Sequence, residues 1–224
     1  MAIPALALLL GLGVWQLQQL ERKTALLQRI ETRMADPAVA LPTVILDPEA
    51  WDYRRVGVEG VFVDDRSLFV ASRVHRGEAG FHVVTPLRRT DPAGNGQMLL
   101  VNRGWIPLSA RETAEWAGFD DTAVSVAGVL RVPPEPGWFQ PDDDVAGNLW
   151  YGIDLPAMAA ATGIDPVPPM ILDASADTSG TVLPIGGQTR IDLPNNHLQY
   201  AITWFAFAAI LVVVYILHHR RHRA

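Results

Sequence analysis

The chain has 224 residues, enough for one medium-sized domain with membrane segments besides. It contains no cysteine, which excludes disulfides, thiolate catalysis, Cys-ligated zinc, iron–sulfur clusters and thiolate delivery of copper. The net charge of −6 is unevenly spread, with every Asp and Glu between Glu21 and Asp192 and with Arg220, Arg221 and Arg223 at the tip, and an acidic middle excludes nucleic acid, which calls for a basic face.

Residues 2–20 are apolar and read as a first membrane span. A cleaved signal peptide would carry a basic start and a small-residue cleavage site. No Lys or Arg precedes Glu21, and Trp15-Gln16-Leu17-Gln18 is a poor site, so an uncleaved anchor is expected. Helical propensity and spacing continue to Ile30, beyond the membrane, and Asp36-Pro37 and Leu41-Pro42 should break the helix.

From Tyr53 the pattern changes to period two. Strands are expected over 53–63, 67–74, 81–89, 97–103 and 123–132, with turns at 75–80 and at Asp91-Pro92-Ala93-Gly94-Asn95-Gly96. A short helix is expected over 109–116. Residues 133–144 read as loop, 149–151 as a short strand, and 154–162 as a helix capped by Asp154 and closed by Gly163. Pro169 to Asp173 reads as a strand, and 174–194 as a loop back to the membrane. Sequential short strands with hairpin connections favour an antiparallel meander or a small barrel.

Pro194 ends that loop, and Asn195 or Asn196 can cap a helix. The apolar run Leu198 to Leu217 follows, and twenty residues at about 1.5 Å each span about 30 Å, roughly one bilayer core. The positive-inside rule puts the His218–Arg223 tip in the cytoplasm. With two spans the other terminus is cytoplasmic too, which leaves Arg22 and Lys23 outside. The C-terminal cluster is denser, and Glu21 accompanies the other pair.

The expected fold is therefore an α+β membrane protein. Two transmembrane helices flank a mainly antiparallel β domain outside the cytoplasm. The divisions are 1–34, a first membrane helix with an extension; 35–194, the β-rich domain; 195–219, the second membrane helix; and 220–224, a basic cytoplasmic tail.

His197 is the most pointed chemical feature, a lone imidazole where the second span enters the membrane. Two readings fit it: an interfacial helix-start residue bonded to headgroups or to Asn195 and Asn196, or a metal or haem ligand. Helical spacing puts Tyr200, Ala201 and Trp204 on its face. If the first span runs outward, Trp15 and Gln16 reach the same depth. His218, His219 and His222 read as a topogenic stop beside three arginines. Asp142, Asp143 and Asp144 lack calcium-loop spacing and read as solvated loop. Ser109, Ser125 and Ser179 lack the context of an activated nucleophile, so no enzyme is expected.

Four segments carry a resemblance. Leu12-Gly13-Val14-Trp15-Gln16-Leu17, Gly80-Phe81-His82-Val83-Val84-Thr85-Pro86-Leu87, Val101-Asn102-Arg103-Gly104-Trp105-Ile106-Pro107 and Asn195-Asn196-His197-Leu198-Gln199-Tyr200-Ala201 with Trp204-Phe205 stand in order along the chain. They resemble the motifs of the surfeit-locus protein family, membrane-bound assembly factors of cytochrome c oxidase. At Gln19 and Arg22 the family often carries Arg and Trp, so no role is carried over to a first-helix arginine.

The resemblance implies two membrane helices, an extracytoplasmic domain and a part in building haem–copper oxidases. In bacterial relatives it implies binding of haem a and help in placing it. The haem-binding histidine of the family motif is His197 here, the expected ligand of the haem iron. Tyr200, Ala201, Trp204, Trp15 and Gln16 are then candidates for the haem pocket; the plainer role is apolar packing for Trp204, an interfacial position for Trp15, and snorkelling or a bond to the partner helix for Gln16. Arg103 is a candidate partner of a haem propionate, or a structural ion pair. The partners implied are oxidase subunit I, haem a synthase and membrane lipid, in a bacterial inner membrane with the central domain periplasmic. The alternative is a scaffold that binds no haem and stabilises an oxidase intermediate by protein contact.

Overall fold

The structure is a computed structural model and describes residues 2–114, 116, 122–135, 137–166, 169–176, 182–189 and 195–221. Pro194, Ser179, His222 and Arg223, on which expectations fall, lie outside these residues. The chain divides into two compact units, Met1–Thr32 with Arg190–Ala224, and Arg33–Thr189.

Two helices, α1 (Ala2–Ala35) and α5 (His197–Arg221), make the first unit, apart from the last turn of α1. Pro4 sits in the first turn of α1, where a missing N–H costs nothing. The helix ends at Ala35, one residue before Asp36-Pro37, because the residue before a proline is pushed out of the helical region. Both helices are long and apolar enough to cross a membrane. Two such helices at the ends of the chain suggest membrane anchoring.

The second unit is built on one eight-stranded sheet. Its strands are β1 (Val39–Ala40), β2 (Arg55–Phe62), β3 (Leu68–His75), β4 (Glu78–Arg89), β5 (Met98–Pro107), β6 (Val124–Arg131), β7 (Leu149–Trp150) and β8 (Ile171–Ala174). The short helices are α2 (Pro48–Trp51), α3 (Ala110–Thr113) and α4 (Leu155–Thr162). The spatial order is β1-β2-β6-β8-β5-β4-β3-β7, and β2 also pairs with β4. That extra pairing closes β2, β6, β8, β5 and β4 into a ring, so the small barrel forms and the meander does not.

Closure depends on the length of β4. One edge of β4 pairs with β5 throughout. The other edge pairs first with β3, Leu68 opposite Val84, and then with β2, Phe62 opposite Leu87. β2 and β3 thus run in line along one edge, interrupted by the 3-10 turn Asp64–Arg66. Pro86 stands at that interruption. It has no N–H to offer, and its carbonyl accepts from Val63 N at 2.9 Å.

Three pairings are parallel: β1 with β2, β3 with β7, and β5 with β8. The β3–β4 turn is tighter than expected. His75 pairs with Glu78, and only Arg76 and Gly77 turn, both at positive φ, as a two-residue hairpin requires. The helix expected over 109–116 is shorter, because Ala114 takes the left-handed conformation and ends α3.

Apolar packing covers both faces of the central strands. Leu99 and Val101 join Val56, Phe62, Leu87 and Leu172 inside the ring. Leu100, between them, joins Val70, Val84, Trp150 and Met158 of α4 on the outside. A strand buried on both faces loses its alternation, which is why β5 is apolar without a period.

Candidate functional site

The two long helices meet along one seam. Gly13 of α1 is buried, and a Cβ there would lie 2.6 Å from Cε1 of Phe205. Three residues on, the Gln16 side chain meets His197, with Oε1 2.7 Å from Nδ1. Farther along α1, Thr24 Oγ1 accepts from Asn195 Nδ2 at 3.5 Å. Residue numbers rise on α1 as they fall on α5, so the pair is antiparallel. Ala201 and Ala208 are buried on the α5 face that carries His197 and Phe205. Small residues on facing helices let backbones approach closely, which supplies the packing that holds helices together in lipid.

The helix start is less regular than its two asparagines promise. Asn196 takes the cap position, its carbonyl accepting from Tyr200 N at 3.2 Å. Oδ1 of Asn195 is buried with no hydrogen-bond partner among the described residues, so it caps nothing.

The roles of the His197 ring nitrogens follow the rotation of the Gln16 amide. With Oε1 toward the ring, as here, the amide oxygen accepts and Nδ1 donates. Nε2 then keeps its lone pair. Metal-bound histidines characteristically donate their second ring N–H to a carbonyl or carboxylate in this way. The half-buried imidazole with a free Nε2 is of a type that can ligate a metal or haem iron.

The other residues read from the sequence fall in three places. Ala201 lies in the seam. Trp204 is half-buried, its ring 6.2 Å from that of Phe207 in an edge-to-face arrangement. Tyr200 and Trp15 are exposed at 56% and 48%, the form an interfacial or ligand-facing aromatic takes.

Arg103 belongs to the other unit and is buried there. Asn102 pairs with Val84 and Gly104 with Val83, so Arg103 is the extra residue of a β-bulge. Gly104 permits the bulge with φ at 127°, and a Cβ there would run into the Ile185 carbonyl. The bulge turns the guanidinium inward. Nη1 donates to Asp64 Oδ1 at 2.8 Å, and Nη2 to the Trp116 carbonyl at 3.1 Å. Its carbon lies 4.5 Å from the centre of the Phe62 ring. Burial pushes the Arg103 pKa down, and the charge and hydrogen bond of Asp64 oppose that shift.

A second polar cluster was not signalled by the sequence. Asp173 of β8 accepts from Asn102 Nδ2 at 2.9 Å and from Thr189 Oγ1 at 3.1 Å. Asn102 Oδ1 accepts from Gly104 N at 3.2 Å, so the asparagine ties this carboxyl to the bulge. Desolvation raises the Asp173 pKa above its ordinary 3.8, against the hydrogen bonds and the more distant charges of Arg131 and Arg73. This carboxyl therefore binds its proton more tightly in the folded state than in the unfolded chain. Its contribution to stability falls as pH rises from the ordinary value through the raised one. Asp173→Asn is expected to remove that slope and to be at least as stable as wild type at neutral pH. Urea midpoints across the acid-to-neutral range check it; a slope unchanged in the variant would show that the charge of Asp173 is not its source.

The acidic loop is organised rather than merely solvated. Asp143 Oδ1 accepts from Tyr151 N at 2.7 Å and Asp144 Oδ1 from Gly147 N at 2.9 Å. Among the described residues no group of three or more His, Cys, Asp or Glu side chains is placed to hold a metal ion.

Comparison with known proteins bears on the whole chain. Residues 3–209 match the family model described as the SURF1 family. A "SURF1-like protein" of Monosiga brevicollis is 34% identical over 223 residues, covering 94% of this chain and 83% of its own length. "Surfeit locus protein 1" of Mus musculus is 34% identical, covering 92% and 70%, and that of Homo sapiens is 32% identical, covering 89% and 70%. A match this long spans the barrel and reaches into both terminal helices, and the chain belongs to the SURF1 family.

Proposed function

We propose that this chain is an assembly factor for cytochrome c oxidase that holds haem a at the outer edge of a membrane and hands it to subunit I. The observation that carries the haem part is the hydrogen bond between His197 Nδ1 and Gln16 Oε1, which leaves Nε2 as a ligand atom. The assembly role follows from family membership. Haem a would supply an iron that a neutral imidazole can ligate. His197 provides that nitrogen, Gln16 orients it, and Trp204 and Tyr200 on α5 and Trp15 on α1 offer aromatic surface. Ala201 holds the helices close. No turnover by this chain is required, so it is read as a carrier and not an enzyme.

The reading places α1 and α5 across a bacterial inner membrane, with the barrel periplasmic and both termini cytoplasmic. The dense basic tip after α5 supports that orientation. Haem a synthase is the expected donor and oxidase subunit I the acceptor, with lipid around the helices. A second reading is a scaffold without haem. Trp138 and Phe139, exposed at 91% and 92% with ring centres 6.0 Å apart, favour it as a protein-contact feature.

One experiment separates the two. The full chain is co-expressed with haem a synthesis and purified, and its optical spectrum is recorded. Wild type is expected to carry haem and His197→Ala to lose at least about nine-tenths of it, as removal of an axial ligand predicts. Haem content unchanged in His197→Ala overturns the ligand assignment, and a haem-free wild type favours the scaffold.

A further inference from the structure

We propose that Gln16 is the positioning residue of the site: its amide oxygen locks His197 in the Nδ1–H tautomer and thereby makes Nε2 the ligand atom. The inference rests on the haem reading for its purpose, but the tautomer is a property of the haem-free chain. Free histidine in water favours the opposite tautomer, with the proton on Nε2. Without an acceptor at Nδ1, much of the population would present a protonated Nε2 that cannot bind a metal. The 2.7 Å contact is at the short end for an N–H···O bond, so the acceptor is well placed.

Its place in the helix pair keeps it there. Gln16 lies between two other contacts of the seam, Gly13 with Phe205 and Thr24 with Asn195. Sliding α1 along α5 by one residue would displace Gln16 by about 1.5 Å and break the hydrogen bond, and the Gly13 contact resists that shift. Both partners belong to the same compact unit.

The competing role for a glutamine here is that of polar glue between membrane helices, indifferent to which ring nitrogen carries the proton. The two roles differ in the other rotation of the Gln16 amide. With its NH2 toward His197, Nδ1 would accept and Nε2 would be protonated. The helices would be held equally well, and the ligand atom would be lost.

The test uses the full chain with 15N-labelled histidine in detergent micelles, with the His197 signals assigned by difference from His197→Ala. Haem-free wild type is expected to show Nδ1 protonated and Nε2 unprotonated. Gln16→Met, similar in shape but without an acceptor of that strength, is expected to shift to a mixture containing the Nε2–H form. Gln16→Glu, which keeps an acceptor oxygen, is expected to restore the wild-type pattern. In haem-loaded protein, Gln16→Met should release haem about 10–100-fold more readily, the usual cost of losing such a supporting hydrogen bond. Its midpoint potential should also rise, because the imidazole becomes a poorer donor. A protonated Nε2 in wild type, or a tautomer ratio untouched by Gln16→Met, overturns the inference. A wild type that shows the expected tautomer and takes up no haem leaves the Gln16 assignment standing and sinks the haem reading instead.

Discussion

Arg103→Met is expected to destabilise the central barrel by about 3–5 kcal/mol, the usual cost of removing one partner of a buried ion pair. Side-chain exposure is 5% for Arg103 and 4% for Asp64, so water cannot replace the lost contact. Methionine keeps much of the stem that packs near Phe62. It removes the cation from beside the Asp64 carboxyl and two donors from the bulge. The thermal transition of the full chain in detergent, followed by circular dichroism of the strands, reads the loss. Asp64→Leu combined with Arg103→Met should recover much of it, because an apolar pair of similar volume carries no buried charge. A propionate role predicts the reverse: an unaltered transition, with haem lost from the single variant. That outcome would move Arg103 from the barrel's structure into the binding site.

The elements legible in the sequence are those whose signals are local. The period-two run around Val56 and Val58, the Asp91–Gly96 turn and the Asp154 cap with Gly163 behind it all became the expected strand, hairpin and helix. What escaped depends on partners far along the chain. β8 lies between β6 and β5 because Val101 meets Leu172 and Leu130 meets Leu172, pairings that no local pattern encodes. The bulge at Arg103 is likewise set by its register against Val83 and Val84 on the neighbouring strand. His197 was legible as a chemical group at a helix start. A bond from Gln16 to the partner helix was legible as one of its roles, but His197 as its partner was not, because rise per residue sets depth and cannot rotate one helix toward the other. Asp173 gave no signal, since a carboxylate near the end of a predicted strand reads as an exposed one.

Gly13→Leu is expected to pry the helix pair apart at a point of close packing. A Cβ at position 13 would lie 2.6 Å from Cε1 and 2.7 Å from Cζ of Phe205. Those atoms are the far end of one side chain, so Gly13→Ala can be met by a swing of the ring and should be mild. Leucine adds a branch that no ring rotation clears. Overpacking of this kind costs about 1–3 kcal/mol, and van der Waals contact is the main force between helices in lipid. Because Gln16 is less than one turn from Gly13, separation there also lengthens its hydrogen bond to His197. The chain has no cysteine, so Thr24→Cys with Asn195→Cys gives a clean reporter pair across the same seam. Cross-linking of that pair by a short bis-maleimide should fall several-fold in Gly13→Leu, in line with a loss of about 1 kcal/mol or more, and stay near wild type in Gly13→Ala. Phe205→Ala on the Gly13→Leu background should bring it back by vacating the contested volume. Undiminished cross-linking in Gly13→Leu would mean that the close approach at Gly13 does not set the seam. The depth at which Gln16 meets His197 would then have to be fixed elsewhere along the two helices.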